Sequence, residues 1–73
     1  MTIWVDIKDK STIYTGRMFL VELYGPCISD RIKEIDTWMK ENISSFDCIK
    51  YGRTYLMDDE VSVMAVRLKW EEI

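Results

Sequence analysis

The first third of the chain alternates apolar and polar residues as a half-buried β-strand does. The apolar members of this alternation are the odd residues Ile3, Val5 and Ile7, which is the two-residue period of a strand with one face in a core. Residues 12–24 are then rich in β-branched and aromatic types, with Gly16 as a bulge or bend. Residues 18–21 are apolar on both faces, as in a central strand. We therefore predict a β-hairpin in this part of the chain.

The pattern becomes helical after residue 26. Apolar residues recur at spacings of four, three, four and four, namely at Ile28, Ile32, Ile35, Met39 and Ile43. At about 100° per residue these positions form one stripe along a helix. Ser29 is the predicted N-cap, and the helix is predicted over residues 29–42. Its charged residues are predicted to face water, with Asp36 and Lys40 at the four-residue spacing of an ion pair.

Strand patterns return after Ser45. Residues 46–51 and 53–57, separated by Gly52, predict two further strands. Residues 58–63 are open to two interpretations, a turn or a short helical turn capped by Asp59. Beyond them, apolar residues alternate with Ala65, Arg67 and Lys69, and this alternation predicts a last strand over residues 64–70.

These elements predict an α+β fold, in which one amphipathic helix packs on an antiparallel sheet of about four strands. The predicted order is ββαββ, and the architecture is a two-layer sandwich. The chain has 73 residues and no internal repeat or Pro/Gly-rich linker, so we predict a single domain over residues 1–73. One helix cannot cover both faces of such a sheet. One face is therefore expected to meet water or a partner.

Charge and hydropathy exclude several classes of function. Thirteen acids and ten bases give a net charge of −3, and no basic patch is present of the kind that binds nucleic acid. The longest apolar run, residues 18–21, is too short to cross a membrane. The N-terminal residues show no signal-peptide pattern. We expect a cytoplasmic protein, in the cytoplasm of the host cell if it is phage-encoded, with neither nucleic acid nor membrane as a partner.

Candidate catalytic chemistry is sparse. The chain has no histidine, which removes the commonest general base and zinc ligand. The dense carboxylate group Asp58-Asp59-Glu60 could hold Mg²⁺, but three consecutive carboxylates point in different directions, so a solvated capping turn is favoured. Cys27 and Cys48 form no CxxC motif, and we predict them to be buried free thiols. We predict no enzymatic activity, no catalytic residue, no metal site and no cofactor.

The aromatic residues point to a binding surface. There are nine of them, more than a small core encloses easily. Trp4 and Tyr14 alternate with predicted core positions, so we expect both on the sheet face away from the helix. Exposed Trp and Tyr dominate the energetics of protein interfaces. The predicted partner-contact residues are these two and the acidic turn Asp58, Asp59 and Glu60.

The C-terminal half also carries a set of short motifs. They are Trp38-Met39-Lys40-Glu41-Asn42-Ile43, Tyr51-Gly52, the acidic turn, and Met64-Ala65-Val66-Arg67-Leu68-Lys69-Trp70. Together they resemble small uncharacterised proteins of tailed bacteriophages, which carry a Trp-x-x-Glu-Asn-Ile helix end and an acidic turn before a final strand. Val61 and Val66 stand where that pattern more often has Ala and Phe. The resemblance implies an early, non-structural phage product and supplies no catalytic residues.

Three functions follow as expectations. Proteins of the kind that the chain resembles often bind and modify a host or defence protein, so we expect a non-catalytic interaction protein that inhibits or modulates such a target. The alternative is a self-assembling homodimer or larger homo-oligomer, paired through the outer sheet face or an edge strand. The third is an acidic DNA mimic, which the ten interspersed bases disfavour.

Overall fold

The computed structural model describes residues 3–26 and 28–71, which form a four-stranded sheet and two α-helices. The chain order is ββαββα. The elements are β1 (Trp4–Asp9), β2 (Phe19–Tyr24), a short 3-10 turn (Ile28–Asp30), α1 (Ile32–Asn42), β3 (Asp47–Lys50), β4 (Thr54–Met57) and α2 (Glu60–Trp70).

The four strands lie in the spatial order β1-β2-β4-β3, and every neighbouring pair is antiparallel. The predicted first hairpin is present, with Trp4 opposite Tyr24 at one end and Asp9 opposite Phe19 at the other. β2 is a central strand, as its apolar residues indicated. β1 and β3 are the edges of the sheet, and β3 is irregular between Cys48 and Lys50.

Both helices contribute to one core on a single face of the sheet, so the α+β class is confirmed. Alternate residues of β1, β2 and β4 point into this core, and they pack against one stripe from each helix. The buried apolar residues are Ile3, Val5, Val21, Leu23, Ile28, Ile35, Met39, Ile43, Tyr55, Met57, Val63, Val66 and Trp70. The core therefore lies between the sheet and the helices, and no helix of the described residues covers the other sheet face.

The last element corrects the predicted order ββαββ with a single helix. The expected strand over residues 64–70 is part of α2 (Glu60–Trp70). The alternation would have placed Leu68 in the core, but Leu68 is 82% exposed. The residues that α2 buries are Val63, Val66 and Trp70, whose spacings of three and four put them on one side of a helix. Asp59 caps this helix, because its carboxylate accepts a hydrogen bond from the Val61 amide at 3.1 Å.

The segment between β1 and β2 also differs from the prediction. The strand expected over residues 12–24 begins only at Phe19, because residues 12–16 form a tight turn. The Thr12 hydroxyl accepts hydrogen bonds from the amides of Tyr14 and Thr15, at 3.2 and 3.0 Å. Gly16 completes this turn with a φ of +74°, a conformation that glycine adopts without strain.

Helix α1 has the predicted apolar stripe, but its N-terminus and the burial of Asp36 differ from the prediction. Ser29 lies in the 3-10 turn rather than at the cap, and Arg31 precedes the helix without a side-chain capping bond. The predicted ion pair exists, with Lys40 Nζ 3.0 Å from Asp36 Oδ2. Asp36 is nevertheless buried rather than in water. Burial of this carboxylate is possible because the Tyr55 hydroxyl also donates to its Oδ1 at 3.2 Å.

The cysteine prediction fails for the residue that can be assessed. Cys48 is an exposed free thiol, because it lies on the edge strand β3, all of whose residues are exposed. Cys27 lies outside the described residues. In the described part of the chain, no helix is long and apolar enough to cross a membrane.

Candidate functional site

The sheet face opposite the helices is left uncovered by the described helices. Its side chains come from alternate strand positions, between those that point into the core. We call this surface the open sheet face, and its residues are Trp4, Asp6, Lys8, Leu20, Glu22, Tyr24, Thr54 and Leu56. No described helix packs on it, so its exposed side chains are available to another molecule, whereas Thr54 is only 8% exposed.

An aromatic pair marks one end of the open sheet face. Trp4 and Tyr24 lie directly opposite each other on β1 and β2, and their ring centroids are 5.9 Å apart with planes tilted by 39°. The side of each ring that faces away from the sheet remains in water, with Trp4 47% and Tyr24 49% exposed. The structure thus places Trp4 where the sequence predicted it. The sequence did not indicate Tyr24 as a contact residue. Tyr24 lies two residues after the polar Glu22, however, and therefore on the same outward side of β2.

Charged groups border the apolar part of this face. Lys8 Nζ lies 3.7 Å from Glu22 Oε1 and 4.0 Å from Asp6 Oδ2. Such exposed ion pairs contribute about 1 kcal/mol or less to folding. Half-exposed aromatic rings flanked by charged groups are typical of protein–protein interfaces.

The other predicted contact residues lie at the opposite end of the sheet. Tyr14 is 92% exposed, but it belongs to the β1–β2 loop and not to the sheet face, because the Thr12 turn removes residues 12–16 from the strand. The acidic turn joins β4 to α2 at this same end. Arg17 Nη1 contacts Glu60 Oε2 at 3.3 Å and so connects the loop to the turn. The strand length separates both from Trp4 by roughly 17 Å.

The acidic turn is engaged in folding. Asp59 accepts hydrogen bonds from the Val61 amide and the Ser62 hydroxyl, both at 3.1 Å, and Glu60 is paired with Arg17. Within residues 3–26 and 28–71, no cluster of three or more acidic or cysteine side chains is positioned to hold a metal ion. The turn therefore acts as a helix cap, as the favoured interpretation of the sequence proposed. Asp58 is also exposed.

A cleft of about 630 Å³ lies between the two helices on the far side of the molecule. Its aromatic floor consists of Trp38 and Trp70, which meet edge to face at 6.0 Å. The side-chain cations of Arg31 and Lys69 each lie 5.3 Å from the centroid of the Trp70 ring. Among the described residues, the buried Trp70 Nε1 has no hydrogen-bond partner. The sequence could not indicate this cleft, because it predicted one of its two walls as a strand.

A smaller cleft of about 190 Å³ lies at the loop end of the sheet, beside the acidic turn. Its walls include Arg17, Phe46, Asp47 and Asp58. It is lined by one basic side chain, Arg17, and two acidic ones, Asp47 and Asp58, so its charged groups are negative on balance. This cleft extends the surface around Tyr14 rather than forming an enclosed pocket.

Comparison with known proteins leaves the geometry as the main guide to function. No protein-family model, no curated protein and no solved structure matches this chain. The phage resemblance of residues 38–70 stays a prediction. The final strand that it implied is the helix α2 in this chain.

Proposed function

We propose that this chain is a small non-catalytic interaction protein, which binds another protein through the open sheet face. The observation that carries the proposal is the half-exposed pair of Trp4 and Tyr24, 5.9 Å apart. Trp and Tyr are enriched among the few residues that supply most of the binding energy of an interface. Here both rings sit on paired strands, so little conformational freedom remains to be lost on binding.

The size of the face supports a contact that extends beyond it. Strands of this length in a four-stranded sheet span an area of roughly 17 by 15 Å. A stable interface buries about 800 Å² on each partner, which is more than this area offers. We therefore propose that the partner also contacts the loop end, where Tyr14 is exposed and Asp58 is accessible.

We propose a host or defence protein as the partner, which the chain inhibits or modulates. The reason for this class of partner is the resemblance of residues 38–70 to small phage proteins. The net charge of −3, with acids concentrated toward the C-terminus, favours a partner surface that carries basic groups around an apolar pocket. Binding of this kind is stoichiometric and requires no catalytic group.

A DNA mimic has less support than a protein-binding surface. Such a mimic needs rows of unpaired acids at phosphate-like spacing, whereas here the acids are interleaved with bases. On the open sheet face Lys8 lies between Asp6 and Glu22, and on α1 Lys40 pairs with Asp36. These pairs neutralise the negative potential that a mimic would require.

The test is affinity capture from a host lysate with matched aromatic variants, followed by a titration with the purified captured protein. Trp4→Ala removes one ring of the pair. Tyr51→Ala is the matched control, because Tyr51 is 54% exposed but lies in the β3–β4 turn near Lys40 of α1. We expect Trp4→Ala to weaken binding roughly thirty-fold, the size typical of a central interface residue, while Tyr51→Ala binds like the original chain.

Circular dichroism of both variants establishes that each remains folded. Equal binding by Trp4→Ala and the original chain would contradict the proposal, as would a loss confined to Tyr51→Ala. Capture of no specific protein from the lysate would count against the partner class.

A further inference from the structure

We propose that two copies of this chain pair antiparallel along the free edge of β1, with the two-fold axis at Ile7. The sheet then runs continuously through both copies. This inference concerns the edge strand β1 and does not depend on the proposal that the open sheet face binds another protein. Two observations carry it: the charge pattern of β1 and its regular backbone, which contrasts with the short and irregular edge strand β3.

The backbone of β1 determines which residues can pair with a second copy. β1 lies at one end of the strand order and has no described strand on its outer side. The Lys10 amide donates to the Met18 carbonyl at 2.7 Å, and hydrogen-bonded pairs alternate along an antiparallel ladder. The even residues of β1 therefore bond to β2. The N–H and C=O groups of Val5, Ile7 and Asp9 point outward.

Among the registers that match these outward groups, the charges of β1 favour one. An axis at Val5 pairs no opposite charges, and an axis at Asp9 places that residue opposite its own copy. A two-fold axis at residue 6 or at residue 8 would place Asp6 or Lys8 opposite its own copy, and like charges directly opposite each other are destabilising.

An axis at Ile7 instead places Asp6 opposite Lys8 of the second copy, and Lys8 opposite Asp6 of the second copy. It also places Trp4 opposite Lys10, a pairing that allows a cation–π contact. The strand is thus complementary to itself in this register.

The other edge of the sheet is less suited to such pairing. β3 has four residues, Asp47–Lys50, and its register shifts between Cys48 and Lys50. Short length and a bulge are features that prevent edge strands from pairing with further chains. β1 has six residues in regular register with β2, so it is the edge that a second copy would extend.

Sedimentation equilibrium of the full chain, from low micromolar to near-millimolar concentration, tests the inference. Asp6→Lys and Lys8→Asp each place like charges opposite each other at both symmetric positions. We expect each variant to raise the dimer dissociation constant roughly tenfold or more. The double variant Asp6→Lys/Lys8→Asp restores complementarity, and we expect it to dimerise like the original chain.

A mixture of the two single variants provides the sharpest outcome. One variant then carries two bases and the other two acids at the facing positions, so we expect a heterodimer although each variant alone is monomeric. Circular dichroism checks that all variants fold, which is expected since exposed ion pairs contribute little to stability.

A monomer at every concentration would overturn the inference. So would a dimer that both charge reversals leave intact, because its interface would then lie elsewhere. A dimer that Trp4→Ala dissociates while the charge reversals do not would show pairing through the open sheet face instead. Failure of any of these kinds leaves the capture experiment with Trp4→Ala and Tyr51→Ala interpretable on its own.

Discussion

The hydroxyl of Tyr55 donates a hydrogen bond to the buried carboxylate of Asp36, over 3.2 Å, and joins strand β4 to helix α1. The same hydroxyl accepts the Gly52 amide proton at 2.8 Å. Burial raises the pKa of Tyr55 well above its usual range, so the hydroxyl keeps its proton and remains a donor at physiological pH. One oxygen atom thereby fixes the helix, the strand and the β3–β4 turn together.

Removal of that oxygen should cost stability without changing the fold. Tyr55→Phe leaves the buried Gly52 amide without its acceptor and removes the donor to Asp36 Oδ1, while the pair of Asp36 Oδ2 with Lys40 remains. We expect the free energy of unfolding to fall by about 1–3 kcal/mol, measured by urea denaturation. Tyr14→Phe is the matched control, since its ring is exposed in the β1–β2 loop, and it should change stability by less than about 0.5 kcal/mol. Equal effects of the two variants would contradict the proposed network.

The two glycines with positive φ should respond very differently to alanine. Gly16 and Gly52 have φ values of +74° and +70°, so Ala is strained at both by about 1–2 kcal/mol. A Cβ at Gly16 meets nothing within 4 Å, whereas one at Gly52 would clash with Ile32 Cγ2 and lie 2.8 Å from Ile32 Cα. We therefore expect Gly52→Ala to cost a further 1–3 kcal/mol or so, the penalty for overpacking.

Thermal or urea unfolding of both variants measures this difference directly. Equal losses for Gly16→Ala and Gly52→Ala would mean that α1 does not pack against the β3–β4 turn as described. A larger loss for Gly16→Ala would contradict the packing outright.

The N-cap of α2 provides a test of the least expected element of the fold. Asp59→Ala removes the acceptor of the Val61 amide and the Ser62 hydroxyl, and should lower the free energy of unfolding by about 1 kcal/mol. Asp58→Ala, one residue earlier, removes a carboxylate that does not occupy the cap and should cost less than about 0.5 kcal/mol. If residues 60–70 formed a strand, the two variants would behave alike, so equal losses would count against α2.

The carboxylate of Asp9 should titrate at unusually low pH. Hydrogen bonds from Ser11, from its hydroxyl and from its amide at 2.9 Å, lower the pKa of Asp9 below 3.8. Because the folded pKa lies below the unfolded one, this interaction stabilises the fold at pH above 3.8 and is lost as the pH falls through the folded pKa. An NMR titration of the Asp9 side chain measures the midpoint.

Ser11→Ala supplies the control for that titration. It removes the hydroxyl but keeps the amide, so the Asp9 midpoint should move part of the way back toward 3.8. A midpoint that the substitution leaves unchanged would contradict the assigned cause.

Local patterns were sufficient for the first hairpin, for α1 and for the outward position of Trp4. They failed where two periodicities coexist in the same residues. Residues 64–70 alternate like a strand, yet Val63, Val66 and Trp70 also recur at helical spacing. Packing against β1 and β2, together with the Asp59 cap, decides in favour of the helix. Only this tertiary context distinguishes the two.

The candidate site was predictable to a similar extent. The outward position of Trp4 was predictable because Trp4 lies between apolar residues that alternate with it along β1. Tyr14 was misplaced because Thr12 and Thr15 are β-branched, typical of strands, while the Thr12 hydroxyl instead stabilises a turn. Tyr24 belongs to the site only through its position opposite Trp4, and that register depends on where the β1–β2 loop ends. Sequence spacing alone does not determine this length.

The indole signals of the three tryptophans offer the most direct test of the open sheet face as the binding surface. Trp4 lies on that face, whereas Trp38 and Trp70 lie together beside the cleft between the helices. In a ¹⁵N-labelled sample titrated with the captured partner, the Trp4 indole N–H signal should shift or broaden while those of Trp38 and Trp70 stay unchanged. Perturbation of Trp38 and Trp70 with an unchanged Trp4 would contradict the account and move the interface to the helical side.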